Sequence, residues 1–215
     1  MSGAIKRRRA GASDEFEFIT FAQVYVTDGS AHIITMPANI KAGDLLILTY
    51  THPSPANPAG WTQIFSGGTT QAVMQVSYKT ATLADAGASL TYRAGTSDAS
   101  LCWVSVWRAA AYSVLGGSTS GNSGAKTISS YNTLFSNDII IAVQVTENAG
   151  EPPSGCGMTT SGFTTMAAPL GSVAFPVALG LFYKVQPAAG ATGAITSAAT
   201  ADRQTFLSFS ITSTI

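Results

Sequence analysis

The chain has 215 residues, of which 46% are hydrophobic and only 10% are charged, and its eleven basic and eleven acidic side chains leave no net charge. A neutral chain has no overall attraction for nucleic acid or for an anionic membrane, so we expect neither as a partner. Soluble domains ordinarily carry about 25% charged residues, so this surface must be built from Ser, Thr, Asn, Gln and Gly. Another protein covers such a surface at little desolvation cost, because few charges lose water.

Residues 1–18 differ in composition from the rest and predict an extended N-terminal arm. A basic cluster is followed closely by three acidic residues, and no apolar stretch of a secretory signal comes after it. We expect the cluster to anchor the arm to neighbouring subunits by pairing with acidic patches. The anchor residues are Lys6, Arg7, Arg8 and Arg9. The alternatives are a disordered tail and a nucleic-acid contact, the second opposed by the nearby acids.

From Phe16 onward the sequence predicts β-strands separated by turns. Residues 24–27 and 32–35 flank Asp28-Gly29 and predict a hairpin, because Asp-Gly supplies the positive φ of a tight turn. Residues 45–50 are continuously apolar, as expected of a strand covered on both faces. No stretch shows a sustained 3.6-residue apolar period, so the predicted fold class is all-β.

An internal repeat predicts how these strands are organised. Gly43-Asp44-Leu45-Leu46 is matched by Asn137-Asp138-Ile139-Ile140, and Tyr78-Lys79 is matched by Tyr183-Lys184. Asp138 follows Asp44 by 94 residues, and Tyr183 follows Tyr78 by 105. The half-repeats, at about 38–108 and 132–211, are each too small to bury much core, so we expect one antiparallel β-sandwich, jelly-roll-like, over residues 19–215. The Gly/Ser-rich residues 116–124 are expected to be a flexible connection.

Four aromatic residues are predicted to be structural. Trp103 and Trp107 share one face of an apolar strand and are expected in the core. Trp61 and Phe163 occupy the same position of the repeat, in Gly-Trp-Thr and Gly-Phe-Thr. The exchange keeps aromatic bulk but loses the indole N–H, which favours paired core anchors over a hydrogen-bonding recognition site.

Catalytic motifs are absent from the sequence: it has no G-x-S-x-G elbow, no phosphate-binding loop and no G-x-G-x-x-G. His32, His52, Cys102 and Cys156 lack the spacing of metal ligands, so we expect no metal and no cofactor, and we expect that the protein is not an enzyme. A polysaccharide-depolymerising enzyme is disfavoured because no convincing acid pair is present. The two cysteines are expected to be free thiols, with one disulfide between the halves as the alternative.

Aromatic residues in predicted loops suggest a binding role. Tyr112 and Tyr131 flank residues 116–124, and Phe175 lies in the connection 167–176. Exposed aromatic rings stack on sugar rings, so loops 51–60, 111–124 and 167–176 are candidates for contact with a host surface glycan. Packing at an edge or at a subunit interface is the alternative for each ring.

The repeated pattern resembles a known family. Gly43-Asp44-Leu45-Leu46, the segment from Pro58 to Thr62, Tyr78-Lys79 and the segment from Ala84 to Ser89 are similar to phage and bacterial β-sandwich proteins of the tail-fibre-like, head-fibre or virion structural type. The resemblance covers roughly residues 22–213, departs from the pattern at Phe163 and in the basic arm, and brings no catalytic residues.

The resemblance implies a virion structural protein, assembled in the host cytoplasm and displayed on the head or tail as a decoration, spike or fibre subunit. Its implied partners are other virion proteins (capsid, portal or collar, or tail) and itself, with a homotrimer as the expected assembly. A glycan-binding adhesin is the alternative function.

Overall fold

The computed structural model describes residues 6–7, 16–26, 31–52, 56–69, 72–93, 99–147, 156–166, 170–172, 177–198 and 203–214. Within these ranges the chain is almost wholly β-structure, every ladder is antiparallel, and one single-turn 3-10 helix, η1 (Leu83–Asp85), is the only helical element. The all-β prediction is therefore confirmed.

The strands described in the first half of the chain are β1 (Lys6–Arg7), β2 (Phe16–Val26), β3 (His32–Thr35), β4 (Leu45–Thr51), β5 (Thr62–Thr69), β6 (Ala72–Thr80), β7 (Ser89–Arg93) and β8 (Ser100–Arg108). Those described in the second half are β9 (Ala110–Asn122), β10 (Thr127–Ile128), β11 (Asn132–Thr133), β12 (Asp138–Glu147), β13 (Thr164–Thr165), β14 (Leu170–Ser172), β15 (Val177–Gln186), β16 (Gly190–Ala191), β17 (Ile195–Thr196) and β18 (Arg203–Ser213).

Each half of the chain forms one sheet of a two-sheet sandwich. The first sheet has the order β1-β2-β8-β4-β6-β5, and the second has β13-β15-β12-β18-β9, with β14 also paired to β15. The main core joins the inner faces of both sheets and includes Leu45, Trp103, Leu179 and Phe209. The chain path differs from that of a jelly roll, in which strands alternate between the sheets, because each half closes its own sheet.

The two sheets repeat one hydrogen-bonding register. A row across the first sheet consists of Phe21, Ser105, Ile47, Tyr78 and Thr62. The matching row across the second sheet consists of Leu115, Phe209, Ile141, Tyr183 and Thr164. Ile141 follows Ile47 by 94 residues and Tyr183 follows Tyr78 by 105, the same offsets as in the sequence repeat. The edge strands β2 and β9 also correspond, so the structural repeat begins before residues 38 and 132.

Short strand pairs cover the outer face of each sheet. β3 pairs with β7 over the first sheet, whereas β10–β17 and β11–β16 belong to the outer layer of the second. The first outer cluster includes Ile34, Leu48, Trp61 and Cys102. The second outer cluster includes Ile128, Ile140, Phe182 and Phe206. The outer layer explains why every residue of β4 is buried, which confirms the expectation for residues 45–50.

Two local predictions are wrong. The strands on either side of Asp28-Gly29 do not pair as a hairpin, because β2 pairs with β8 in the main sheet while β3 pairs with β7 in the outer layer. The segment 116–124 is not a flexible connection, because residues 116–122 belong to the edge strand β9, which pairs with β18. Its glycines leave room for side chains of the outer layer, since a Cβ at Gly117 would lie 3.2 Å from Ile128.

The two ends of the sandwich differ in what they carry. Only Ala109, with φ 51°, connects β8 to β9, so the end of β8 and the start of β9 share one end, which we call the near end. Antiparallel pairing places the starts of β4 and β12 and the ends of β6, β15 and β18 there as well. At the opposite, far end lie the ends of β2, β4, β9 and β12.

Candidate functional site

Part of the predicted arm lies at the near end. Lys6 and Arg7 form β1 and pair with Glu17 and Phe16 of β2, so the arm adds a short strand to the edge of the first sheet. Glu17 in turn lies opposite Arg108 of β8, which gives a row of alternating charge across three strands. The other predicted anchor residues, Arg8 and Arg9, lie outside the described residues.

A buried carboxylate opens the central strand of each sheet at the near end. Asp44 accepts hydrogen bonds from the backbone N–H of Lys41 at 2.8 Å and from Nε and Nη2 of Arg108 at 3.0 and 2.9 Å. Asp138 accepts a bond from the backbone N–H of Phe135 at 3.3 Å through Oδ2. The turn and the carboxylate thus recur in the second half.

The arginine does not recur. Leu45 lies opposite Trp107 in the first sheet and Ile139 lies opposite Ile211 in the second, so the residue that corresponds to Arg108 is Thr212. Oδ1 of Asp138 has no hydrogen-bond partner although the residue is fully buried. The second half therefore keeps the carboxylate of this ion pair but lacks the arginine.

Solvent-exposed apolar side chains lie beside Asp138 in the sequence. Leu134 and Phe135 precede Asp138 in the same turn and are 58% and 54% exposed. Leu83 of η1 is 75% exposed and lies at the near end of the other sheet, after β6. Adjacent large apolar groups on a surface indicate protein contact more than isolated ones do. The near end therefore combines the arm, exposed apolar residues and a carboxylate with one unpaired oxygen.

Two of the three aromatic residues proposed for glycan contact make contacts within the protein. Tyr112 belongs to β9 and is half-buried, with its ring stacked on that of Tyr78 at a centroid distance of 4.9 Å. Tyr131 is half-buried and its hydroxyl shares a 3.0 Å hydrogen bond with the hydroxyl of Ser208. Burial raises the pKa of Tyr131 above its ordinary value. Phe175 lies outside the described residues.

The structural aromatic residues fall into two layers. Trp103 and Trp107 are buried in the main core between the sheets. Trp61 is buried in the first outer cluster with Lys79 Nζ 5.6 Å from its ring centre, and Phe163 is half-buried against the second outer cluster. Trp61 and Phe163 therefore hold equivalent places, but each seals the outer layer of its own sheet and neither joins the two halves.

A buried polar cluster under the first outer layer was not visible in the sequence, since its members are far apart along the chain. The hydroxyl of Ser100 lies 2.5 Å from Nδ1 of His32 and 2.6 Å from the hydroxyl of Tyr92. The rings of His32 and His52 meet edge to face, with centroids 5.5 Å apart. A serine beside a histidine can act as a nucleophile and its base, but these side chains are buried away from solvent. Their hydrogen bonds join β3, β7 and β8, through His32, Tyr92 and Ser100.

Both cysteines are free and lie on opposite outer faces of the sandwich, Cys102 in the first outer cluster and Cys156 against the second. Burial raises the pKa of the Cys102 thiol well above its usual range and that of Cys156 to about 12. Over the part of the chain that the structure describes, no three His, Cys, Asp or Glu side chains converge as metal ligands. In the same ranges, no helix has the length and apolar character needed to cross a membrane.

Comparisons with known proteins identify no relative: no protein-family model, no curated protein and no solved structure matches the chain. The near end, the arm and the composition of the surface are therefore the features of this chain that bear on its function.

Proposed function

We propose that the protein is a structural subunit of a phage or phage-like virion, displayed on the head or tail and anchored by its N-terminal arm. The observation that carries the proposal is the position of the basic cluster at the edge of the sandwich. Lys6 and Arg7 form the edge strand β1, which makes two ladder pairs with β2, and Arg8 and Arg9 follow them in the sequence. A basic segment at a sheet edge is well placed to bind a neighbouring subunit.

The surface supports the same function. Only 10% of the residues are charged and the net charge is zero, so packing against other subunits strips few charges of water. The proposed partners are other virion proteins (capsid, portal or collar, or tail) and further copies of the chain, with a homotrimer as the proposed assembly. The resemblance of the repeated segments to virion β-sandwich proteins points the same way.

Removal of the arm tests this function. A chain lacking residues 1–15 should remain folded and soluble, as judged by circular dichroism, but should no longer join particles. A full-length chain with Lys6→Gln, Arg7→Gln, Arg8→Gln and Arg9→Gln should lose incorporation as well, which separates the role of charge from that of length. Incorporation of the truncated chain at wild-type occupancy would show that the arm is not the anchor.

The difference between the two ends of the sandwich favours a second function, that of a glycan-binding adhesin. Lys6 and Arg7 of the arm are at the near end, whereas β2, β4, β9 and β12 all finish at the far end. Anchoring at the near end would turn the far end of the sandwich toward the host surface. Purified oligomeric protein should then be retained on host cells or on their surface polysaccharide. Absence of retention would leave the structural role alone, and release of reducing ends would show an enzyme instead.

A further inference from the structure

We propose that Asp138, together with the exposed Leu134 and Phe135, is the docking site for the basic arm of a second copy of this chain. The inference deepens the proposed function, because it names where an arm binds. It rests on that function only in taking the arm to reach a neighbouring subunit.

The first half of the chain shows how this position is satisfied within one molecule. Asp44, whose side chain is 3% exposed, is held by a fork of two nitrogens of Arg108, whose own side chain is 29% exposed. Two parallel charge-assisted hydrogen bonds make this geometry one of the strongest polar contacts in proteins. The repeat places Asp138 in the same turn at the start of the same strand, so the same fork would suit it.

The second half lacks the group that completes the fork. Thr212 stands where Arg108 stands, and Oδ1 of Asp138 accepts no hydrogen bond. A buried carboxylate with one oxygen unpaired is unfavourable, and a guanidinium from another chain would offset that cost. Asp138 itself is fully buried, and residues 134–137, which form the turn bonded to its carboxylate, are all exposed, so a guanidinium from another chain would reach the carboxylate by displacing this surface turn.

The arm has the chemistry that this site requires. Ile5 is followed directly by Lys6, Arg7, Arg8 and Arg9, so an apolar side chain stands next to several basic ones. The site offers the complementary arrangement, with Leu134 and Phe135 beside the carboxylate. Within one chain, Lys6 and Arg7 are held in β1 at the edge of the first sheet, whereas Asp138 belongs to the second sheet. The occupant we infer is the arm of another copy, which binds through the basic residues that follow β1 in the sequence, Arg8 and Arg9.

Sedimentation equilibrium of the full-length chain tests the proposal. Asp138→Asn keeps the shape of the side chain but removes its charge, and it should weaken self-association by about tenfold or more. Thr212→Arg should supply the missing fork from within, so it should raise the melting temperature and weaken association too. Replacing Arg7, Arg8 and Arg9 by Gln should reproduce the effect from the other side of the contact.

The matched control is Asp85→Asn, which neutralises another carboxylate at the near end, one that pairs with Lys79 at 2.6 Å. This variant should associate as the wild type does. If Asp138→Asn and Thr212→Arg both associate as strongly as the wild type, the docking site is wrong. It is also wrong if the wild-type chain stays monomeric at every concentration. The virion function is judged separately, by incorporation into particles, so either idea can fail alone.

Discussion

The backbone of Gly116 packs directly against the ring of Tyr131 and leaves no space for a side chain at position 116, because a Cβ there would lie 2.1 Å from the ring. The ring comes from the outer layer just before β11, and its hydroxyl pairs with Ser208 of β18. The glycine of the edge strand β9 thus allows the outer layer to lie directly on the backbone of the second sheet.

Gly116→Ala should therefore displace the Tyr131 ring and destabilise the protein by about 1–3 kcal/mol, as overpacking of a close contact does. Urea unfolding followed by circular dichroism measures the change. The matched control is Gly157→Ala, because a Cβ there would lie at an ordinary 3.4 Å from that of Ala198. Equal stability of the two variants would mean that the ring moves aside freely.

The fork between Arg108 and Asp44 should be important for the stability of the near end. Arg108→Gln leaves a buried carboxylate without its cation, and removing one partner of a buried pair costs about 3–5 kcal/mol. Because Arg108 is partly exposed, we expect the loss at the low end of that range. The double variant Arg108→Gln with Asp44→Asn should recover much of the stability, since no unpaired charge remains. A double variant as unstable as the single one would show that packing of the arginine stem dominates.

Trp61 and Phe163 should differ in how much stability they provide, although they are equivalent in the repeat. Trp61→Ala should cost about 3–5 kcal/mol, because it empties a buried position of the first outer cluster. Phe163→Ala should cost less, because Phe163 is half-buried. Trp61→Phe copies the second half and should be tolerated better than Trp61→Ala. Near-native stability of Trp61→Ala together with lost host binding would instead make Trp61 a recognition residue.

The two thiols should be unreactive in the folded protein. Burial raises the pKa of both Cys102 and Cys156, so neither forms an appreciable amount of thiolate at pH 8. A thiol-specific chromogenic reagent should label the native chain slowly and label two thiols per chain after denaturation.

The same thiols also predict a pH dependence. A raised folded pKa means that the folded state holds the proton more tightly than the unfolded state. The stabilisation from Cys156 should therefore be complete below its ordinary pKa of 9.0 and should be lost as the pH rises towards about 12. Fast labelling of the native chain at pH 8, at the rate of an exposed thiol, would contradict the burial of Cys102 and the raised pKa of Cys156.

The repeat in the sequence predicted the fold because it records the register of the sheets. The offset that relates Asp44 to Asp138 also relates Ile47 to Ile141, since β4 and β12 are the equivalent central strands of the two sheets and each carboxylate stands at the start of its strand. Similarly, continuous burial of β4 could be predicted because an apolar run without alternation requires cover on both faces.

Other features depend on contacts that no local pattern contains. The composition of residues 116–122 predicts a flexible segment, because glycine is unfavourable in strands. The outer layer nevertheless requires glycine in this strand, since Tyr131 packs on Gly116 and Ile128 packs on Gly117. The fork between Asp44 and Arg108 joins residues 64 positions apart, and the sequence carried no signal for it. The unpaired oxygen of Asp138 likewise depends on the ladder between β12 and β18, which places Thr212 where the first sheet has Arg108.

The contiguity of each sheet has a consequence for synthesis. All strands of the first sheet leave the ribosome before β9, so this sheet can form while the second half is still being translated. Its inner face, which includes Leu45, Ile47 and Trp103, then remains uncovered until β12, β15 and β18 follow. During that interval the second half of a neighbouring nascent chain offers the same contacts. We therefore expect closely spaced ribosomes on one message to favour domain-swapped dimers, in which each second sheet completes the sandwich of the other chain.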